Sequence, residues 1–308
     1  MRKVALVTAS ASGLAVAFAR QLAHDGFNLI LNYRKNKTAC EELALSLQAQ
    51  YGIDILVEKA DMTKQAEIEA MITAGKQRFD RLDVLIHSAG PFIFRRKRLT
   101  EYTDEEWNEM IHGNLTSAFY LFRQVIPLMR PKGFGRIVTV GFDRVEQAPG
   151  WGYRSAYAAA KVGLASLTRT VAIEERENGI TANMICPGDI RGSLKEAPFP
   201  SDPTVGIRTP VGGDLAQVIS FLVKPEAQFV TGNILSLTNG ADVLSHYDAG
   251  KAELFDPKKF EIGAFVHVLP WNEQATVIDR LDRPNQRSLY TVQAGNRVAQ
   301  FTVDQLEE

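Results

Sequence analysis

The chain has 308 residues, 45% of them apolar and 23% charged, with a formal net charge of −1 at neutral pH. This composition fits one large globular core plus a small module. It gives no support to disorder, to a membrane span, or to a whole-protein field that would draw in nucleic acid or an anionic membrane. The two cysteines, Cys40 and Cys186, form no disulfide framework and suit a reducing compartment, so the cytoplasm is expected.

The basic start Met1-Arg2-Lys3 leads into an apolar run that Thr8, Ser10 and Ser12 interrupt too early for a secretion signal, so it reads as a first strand. Short apolar runs then alternate with longer amphipathic stretches: Val4 to Val7, Leu29 to Leu31, Ile53 to Val57, Val84 to Ile86, Ile137 to Val140, Thr181 to Ile185 and Ile234 to Leu237. Each run is apolar on consecutive residues, which predicts burial on both faces. The order of runs and helices predicts an α/β fold with a doubly wound, Rossmann-type, seven-stranded parallel sheet. Helix starts are signalled by Thr103 before Asp104-Glu105-Glu106 and by Ser155 before the Ala-rich stretch from Ala156 to Leu167. The basic run Arg95-Arg96-Lys97-Arg98 is open to two readings, a solvated loop or a docking point for an anionic substrate or carrier.

After about His246 the pattern changes. Ala264 to Leu269, Ala275 to Leu281, Ser288 to Val292 and Arg297 to Thr302 are short and β-prone, separated by Pro270, by Asp282-Arg283-Pro284-Asn285 and by Gly295-Asn296. Four strands of a small barrel are expected, similar to the Src-homology-3-like barrels appended to other proteins. The expected domains are therefore residues 1–248 and 249–308.

The turn after the first strand reads Thr8-Ala9-Ser10-Ala11-Ser12-Gly13-Leu14-Ala15. Such a turn can present backbone N–H groups and a helix N-terminus to a pyrophosphate. It resembles the T-G-x-x-x-G-x-G fingerprint of the short-chain dehydrogenase/reductase family, with Ala9 and Ala15 in place of the first and third glycines. If the backbone at Ala9 needs a positive φ, alanine costs roughly 1–2 kcal/mol there. The second strand ends in Asn32-Tyr33-Arg34, without the carboxylate that would take a ribose 2′-OH. Arg34 suits a 2′-phosphate instead, so NADP(H) is favoured over NAD(H). Further along, Asp61-Met62 resembles the family's adenine-contacting pair. His87-Ser88-Ala89-Gly90 resembles its N-N-A-G segment, and Pro187-Gly188-Asp189-Ile190 its carboxamide-holding loop.

Tyr157 and Lys161 form a Y-x-x-x-K pair, which on a helix shares one face. Hydride reduction of a carbonyl creates an alkoxide that must be protonated, and a nearby ammonium lowers a tyrosine's pKa so that it can donate. The spacing recurs at Tyr33/Lys37 and Tyr247/Lys251, so the family resemblance over residues 1 to about 246 is what selects Tyr157. That resemblance also implies that Lys161 holds the nicotinamide ribose and that Asn114 keeps a proton-relay water. It puts Phe142 where the family's carbonyl-polarising serine stands, with Asp143 one step beyond, where the related pteridine reductases use an aspartate nearby. The segment from Arg191 to Pro210 reads as a lid over substrate.

The leading expectation is an NADPH-dependent carbonyl reductase of the 3-oxoacyl carrier-protein reductase branch. It would act on a small, possibly carrier-bound carbonyl and assemble as a dimer or tetramer, without nucleic acid, membrane or metal. Two alternatives stay open: pteridine-like C=N reduction using Asp143, and a non-catalytic dinucleotide-binding scaffold.

Overall fold

The computed structural model describes residues 2–92, 96–201, 208–241, 243–244, 260, 263–281, 289–302 and 305–307. The chain divides into two compact units, one comprising Met1–Ile93 and Lys97–Val243, the other Phe94–Arg96 and Leu244–Glu308.

The larger unit is built on seven parallel strands: β1 (Val4–Val7), β2 (Asn28–Tyr33), β3 (Ile55–Lys59), β4 (Val84–His87), β5 (Gly135–Val140), β6 (Ile180–Pro187) and β7 (Ile234–Leu237). Their spatial order is β3-β2-β1-β4-β5-β6-β7. Seven helices connect them: α1 (Leu14–His24), α2 (Lys37–Tyr51), α3 (Gln65–Phe79), α4 (Asp104–Ile111), α5 (Ser117–Met129), α6 (Ser155–Glu174) and α7 (Gly212–Leu222). Alternate strand residues Ala5, Val7, Leu29, Leu31, Val84 and Ile86 pack with Phe18, Leu22, Leu47, Leu215 and Ile219 in one core layer. The residues between them, Leu6, Ile30 and Leu85, are equally buried, so both faces are covered, as the unbroken apolar runs require. Because strand order reverses between β1 and β4, the loops leaving the C-terminal ends of these strands border a crevice, the usual ligand position in such sheets.

Helix α4 starts with the capping box that Thr103 announces: Thr103 Oγ1 accepts the Glu106 N–H and the Glu106 carboxylate accepts the Thr103 N–H. Between α4 and α5 the backbone widens into a π-helical turn, His112–Thr116. Such turns are rare and cluster at functional positions.

The smaller unit carries β8 (Phe265–Val268), β9 (Glu273–Leu281), β10 (Leu289–Ala294), β11 (Arg297–Thr302) and β12 (Leu306–Glu307). They form an antiparallel sheet in the order β11-β10-β9-β8-β12. Among the described residues this is a five-stranded antiparallel sheet, one strand more than the four expected. The additional strand, β12, is two residues long and gives no apolar period to read. Val266, Val268, Val277, Tyr290, Val292, Phe301 and Leu306 make this sheet's own core. The expected turn at Asp282 to Asn285 lies outside the described residues. No helix among them is long and apolar enough to cross a membrane, and both cysteines are buried free thiols.

Candidate active site

The turn after β1 has the strain its sequence suggests. Ala9 sits at φ 58°, a left-handed conformation that glycine adopts freely and alanine does not. The Asn32 side chain holds it there, accepting the Ala9 N–H at 3.1 Å while donating to the Ala60 carbonyl at 3.0 Å. Asn32 is thus a buried brace, and Tyr33 beside it is buried too. Ser10 donates to the Val7 carbonyl at 2.6 Å, closing the turn. Gly13, at φ 71°, begins α1 with no side-chain cap. Its N–H donates at 2.8 Å to the carboxylate of Glu196, a residue of the segment after β6. Ser12 and Leu14 complete the turn, Ser12 exposed and Leu14 half-buried.

At the end of β2, Arg34 is exposed. Burial works to raise the Asp61 pKa, but bonds from the Thr63 N–H and hydroxyl, with the charges of Arg34 and Lys64, hold that carboxyl below its usual range. Arg34 is thus close enough to Asp61 for its charge to be felt there, and Met62 is buried.

His87 closes β4 at zero exposure, and burial followed by the charge of Lys161 pushes its pKa down to about 3. The hydrogen-bond partners define its neutral form. Ser117 donates to the Gly113 carbonyl at 2.8 Å, so its oxygen accepts from His87 Nε2 at 3.1 Å. His87 Nδ1 is then the acceptor for the Thr8 hydroxyl at 3.3 Å. The Thr8 oxygen in turn accepts the N–H groups of Ser88 and Ala89 at 3.0 and 2.9 Å. One buried chain of bonds thus ties the β1 turn to the π-helical turn.

That π-helical turn carries Asn114. Its amide donates to the carbonyls of Pro91 and Met110, both at 3.0 Å, while its buried Oδ1 has no hydrogen-bond partner among the described residues. A Cβ at Gly90 would fall 2.2 Å from that Oδ1 and 3.5 Å from Lys161 Nζ, so both side chains converge on Gly90, where only glycine leaves room. Lys161, on α6, is buried and donates to the Val140 carbonyl at 2.8 Å. Burial lowers its pKa to about 8. Its Nζ lies 5.7 Å from the ring centre of Tyr157, one helical turn earlier.

Tyr157 is walled by aromatic rings: Phe92 at 5.0 Å, Trp151 at 5.8 Å and Phe142 at 6.2 Å between centres. Phe142 thus stands beside the tyrosine. Asp143 is engaged elsewhere, where its carboxylate accepts the buried Val243 N–H at 3.3 Å and lies 3.7 Å from Arg144. After β6, the Gly188 N–H donates to the Leu237 carbonyl at 3.1 Å and Ile190 is buried, which fixes the Pro187-Gly188 turn. Glu196 had no sequence signal, because its partner Gly13 lies far away along the chain.

A family profile described as enoyl-(acyl carrier protein) reductase matches residues 8–242. The chain belongs to the short-chain dehydrogenase/reductase family and is an NAD(P)-dependent oxidoreductase. It is 44% identical to a provisionally named oxidoreductase of Bacillus subtilis strain 168, YtkK, covering 78% of this chain and 97% of that one. It is 37% identical to D-beta-hydroxybutyrate dehydrogenase of Rhizobium meliloti strain 1021, over 65% of this chain and 76% of the relative. It is 33% identical to 3-oxoacyl-[acyl-carrier-protein] reductase FabG of Escherichia coli K12, over 77% and 96%. A solved Bacillus thuringiensis structure, provisionally described as a 3-oxoacyl-reductase, superposes with a TM-score of 0.73 at 42% identity, covering 79% of this chain and all of that one. The donor set fits a dinucleotide: the Gly13 N–H already receives an anionic oxygen, and Asn114 Oδ1 is a buried acceptor without a partner among the described residues.

Proposed function

We propose that this protein is an NADPH-dependent reductase that converts a ketone, of the 3-oxoacyl thioester kind, to an alcohol with Tyr157 as proton donor. The observation that carries this reading is the convergence of Lys161 Nζ and Asn114 Oδ1 at Gly90, with Tyr157 one helical turn from Lys161. When bound, the cofactor supplies a hydride to the carbonyl carbon. Tyr157 then gives its phenolic proton to the oxygen on which charge develops. The Lys161 ammonium beside it favours the tyrosinate left behind. Asn114 Oδ1 is free to hold a water that returns a proton to the site. Arg34 takes the 2′-phosphate, and Thr8, Ser10, Ser12, Gly13, Leu14, Asp61, Met62, Ser88, Ala89, Gly90, Pro187, Gly188 and Ile190 shape the rest of the cofactor bed, with Asn32 and Tyr33 bracing it from behind.

Phe142 gives the carbonyl no second donor, a loss worth on the order of 10²–10³ in rate at comparable oxyanion sites. Substrates whose carbonyl is already activated by a neighbouring electron-withdrawing group suit such a site. Asp143 is engaged by Val243, so it supports the loop in this reading rather than C=N reduction. The strain at Ala9 and the missing donor favour a second reading, a scaffold that binds cofactor without turnover. We further propose a cytoplasmic homo-oligomer, with residues 1–248 as the catalytic domain. Steady-state assays with NADPH and NADH against 3-oxoacyl thioesters and simple ketones test the reading. Thioester-dependent oxidation of NADPH in preference to NADH supports it, whereas oxidation of neither cofactor by any carbonyl supports the scaffold.

A further inference from the structure

Helix α1 begins without any cap of its own: Gly13 has no side chain and no acidic residue stands in the first turn. Its uncapped first turn and positive end favour an anion. The anion that meets Gly13 comes from a distant segment, Gly192 to Phe199, and is the half-buried Glu196 carboxylate at 2.8 Å.

The segment is seated by specific contacts. Arg20, on α1, donates to the Glu196 carbonyl at 2.7 Å, and the Gly213 N–H donates to the Ala197 carbonyl at 2.9 Å. Leu194 packs against the core layer shared by α1 and α7. The first two residues of α7 are glycines for a steric reason. A Cβ at Gly212 would fall 1.8 Å from the Lys195 carbonyl oxygen, and one at Gly213 would fall 1.9 Å from the Phe199 nitrogen. The backbone of this strap therefore lies directly on α7, and the seating aims one carboxylate at the Gly13 N–H.

We infer that Glu196 is an internal competitor for the diphosphate subsite of the nucleotide. This inference rests on the cofactor reading above, which assigns the same N–H to the diphosphate. One N–H cannot serve two anions well, and a carboxylate beside a diphosphate is repelled. Cofactor entry then requires Glu196 to leave Gly13, and its departure loosens the strap that Arg20 and Gly213 hold. Nucleotide binding and release of the strap from α1 become one coupled event, and the strap reduces apparent affinity by the fraction of molecules in which it is seated.

The test is NADPH titration by nicotinamide fluorescence, with stopped-flow association rates, on the full-length wild type, Glu196→Gln and Glu196→Ala. Arg20→Ala, which frees the strap without touching the carboxylate, guards against a folding artefact. Competition predicts NADPH binding about tenfold tighter in both Glu196 variants, chiefly through faster association, and a smaller gain in Arg20→Ala. If wild type binds NADPH and the Glu196 variants bind it equally or more weakly, the inference is overturned while the cofactor reading stands. If neither wild type nor variants bind NADPH or NADH, the cofactor reading fails and takes the inference with it.

Discussion

Ala9 shows how one residue joins stability to binding. Its φ of 58° is a cost that glycine would not carry, and the Asn32 brace holds the turn in that shape. Ala9→Gly is expected to stabilise the fold by about 1 kcal/mol, read as a higher urea midpoint at unchanged slope. Arg34 is tested by its selectivity. Arg34→Ala should weaken NADPH binding by about 10- to 100-fold and leave NADH nearly unchanged, measured by fluorescence titration. At this scale Gly13 was legible from its local turn, and the pair Tyr157 and Lys161 from the family order around it, since their spacing alone recurs elsewhere in the chain. The buried brace role of Asn32 and the turning away of Asp143 were not, since each is decided by a partner far along the chain.

Among the elements, the parallel strands announced themselves through runs without alternation, and the structure returns all seven with boundaries differing by a few residues at most. The antiparallel strands were readable as β-prone runs between turn-formers, and in β10 the structure adds alternation, with Tyr290 and Val292 buried while their neighbours are not. The last strand of that sheet, β12, was not readable, because two residues carry no period. The π-helical turn was likewise hidden. Helix propensity alone makes Asn114 an ordinary mid-helix residue; the family resemblance singles it out, and the structure adds its amide reaching Met110 and Pro91. The capping box of α4 gives a checkable magnitude: Thr103→Ala should cost about 1 kcal/mol in unfolding free energy, measured by denaturant titration.

For the whole molecule, two buried titratable groups set two separate pH windows, in each of which stability rises with pH. His87 titrates near 3 in the fold against an ordinary 6.5, so the unfolded chain binds the extra proton between those values. Its contribution to stability is complete above about pH 6.5 and is lost as pH falls toward 3. Thermal unfolding at about pH 7.5 and about pH 5 should show a drop that His87→Asn reduces. Lys161 titrates near 8 against an ordinary 10.5, so burying it as an ammonium costs stability at neutral pH, and that cost fades as pH rises from 8 to 10.5. Such a perturbed lysine fits the role proposed for Lys161 beside Tyr157.

The most direct test of the central claim compares turnover with cofactor binding in Tyr157→Phe. NADPH affinity is read by fluorescence, and kcat by loss of NADPH absorbance with a 3-oxoacyl thioester. The expected result is NADPH binding within a few-fold of wild type and a kcat reduced by roughly 10²-fold or more. A Tyr157→Phe protein that turns over like wild type would contradict the assignment of the proton donor.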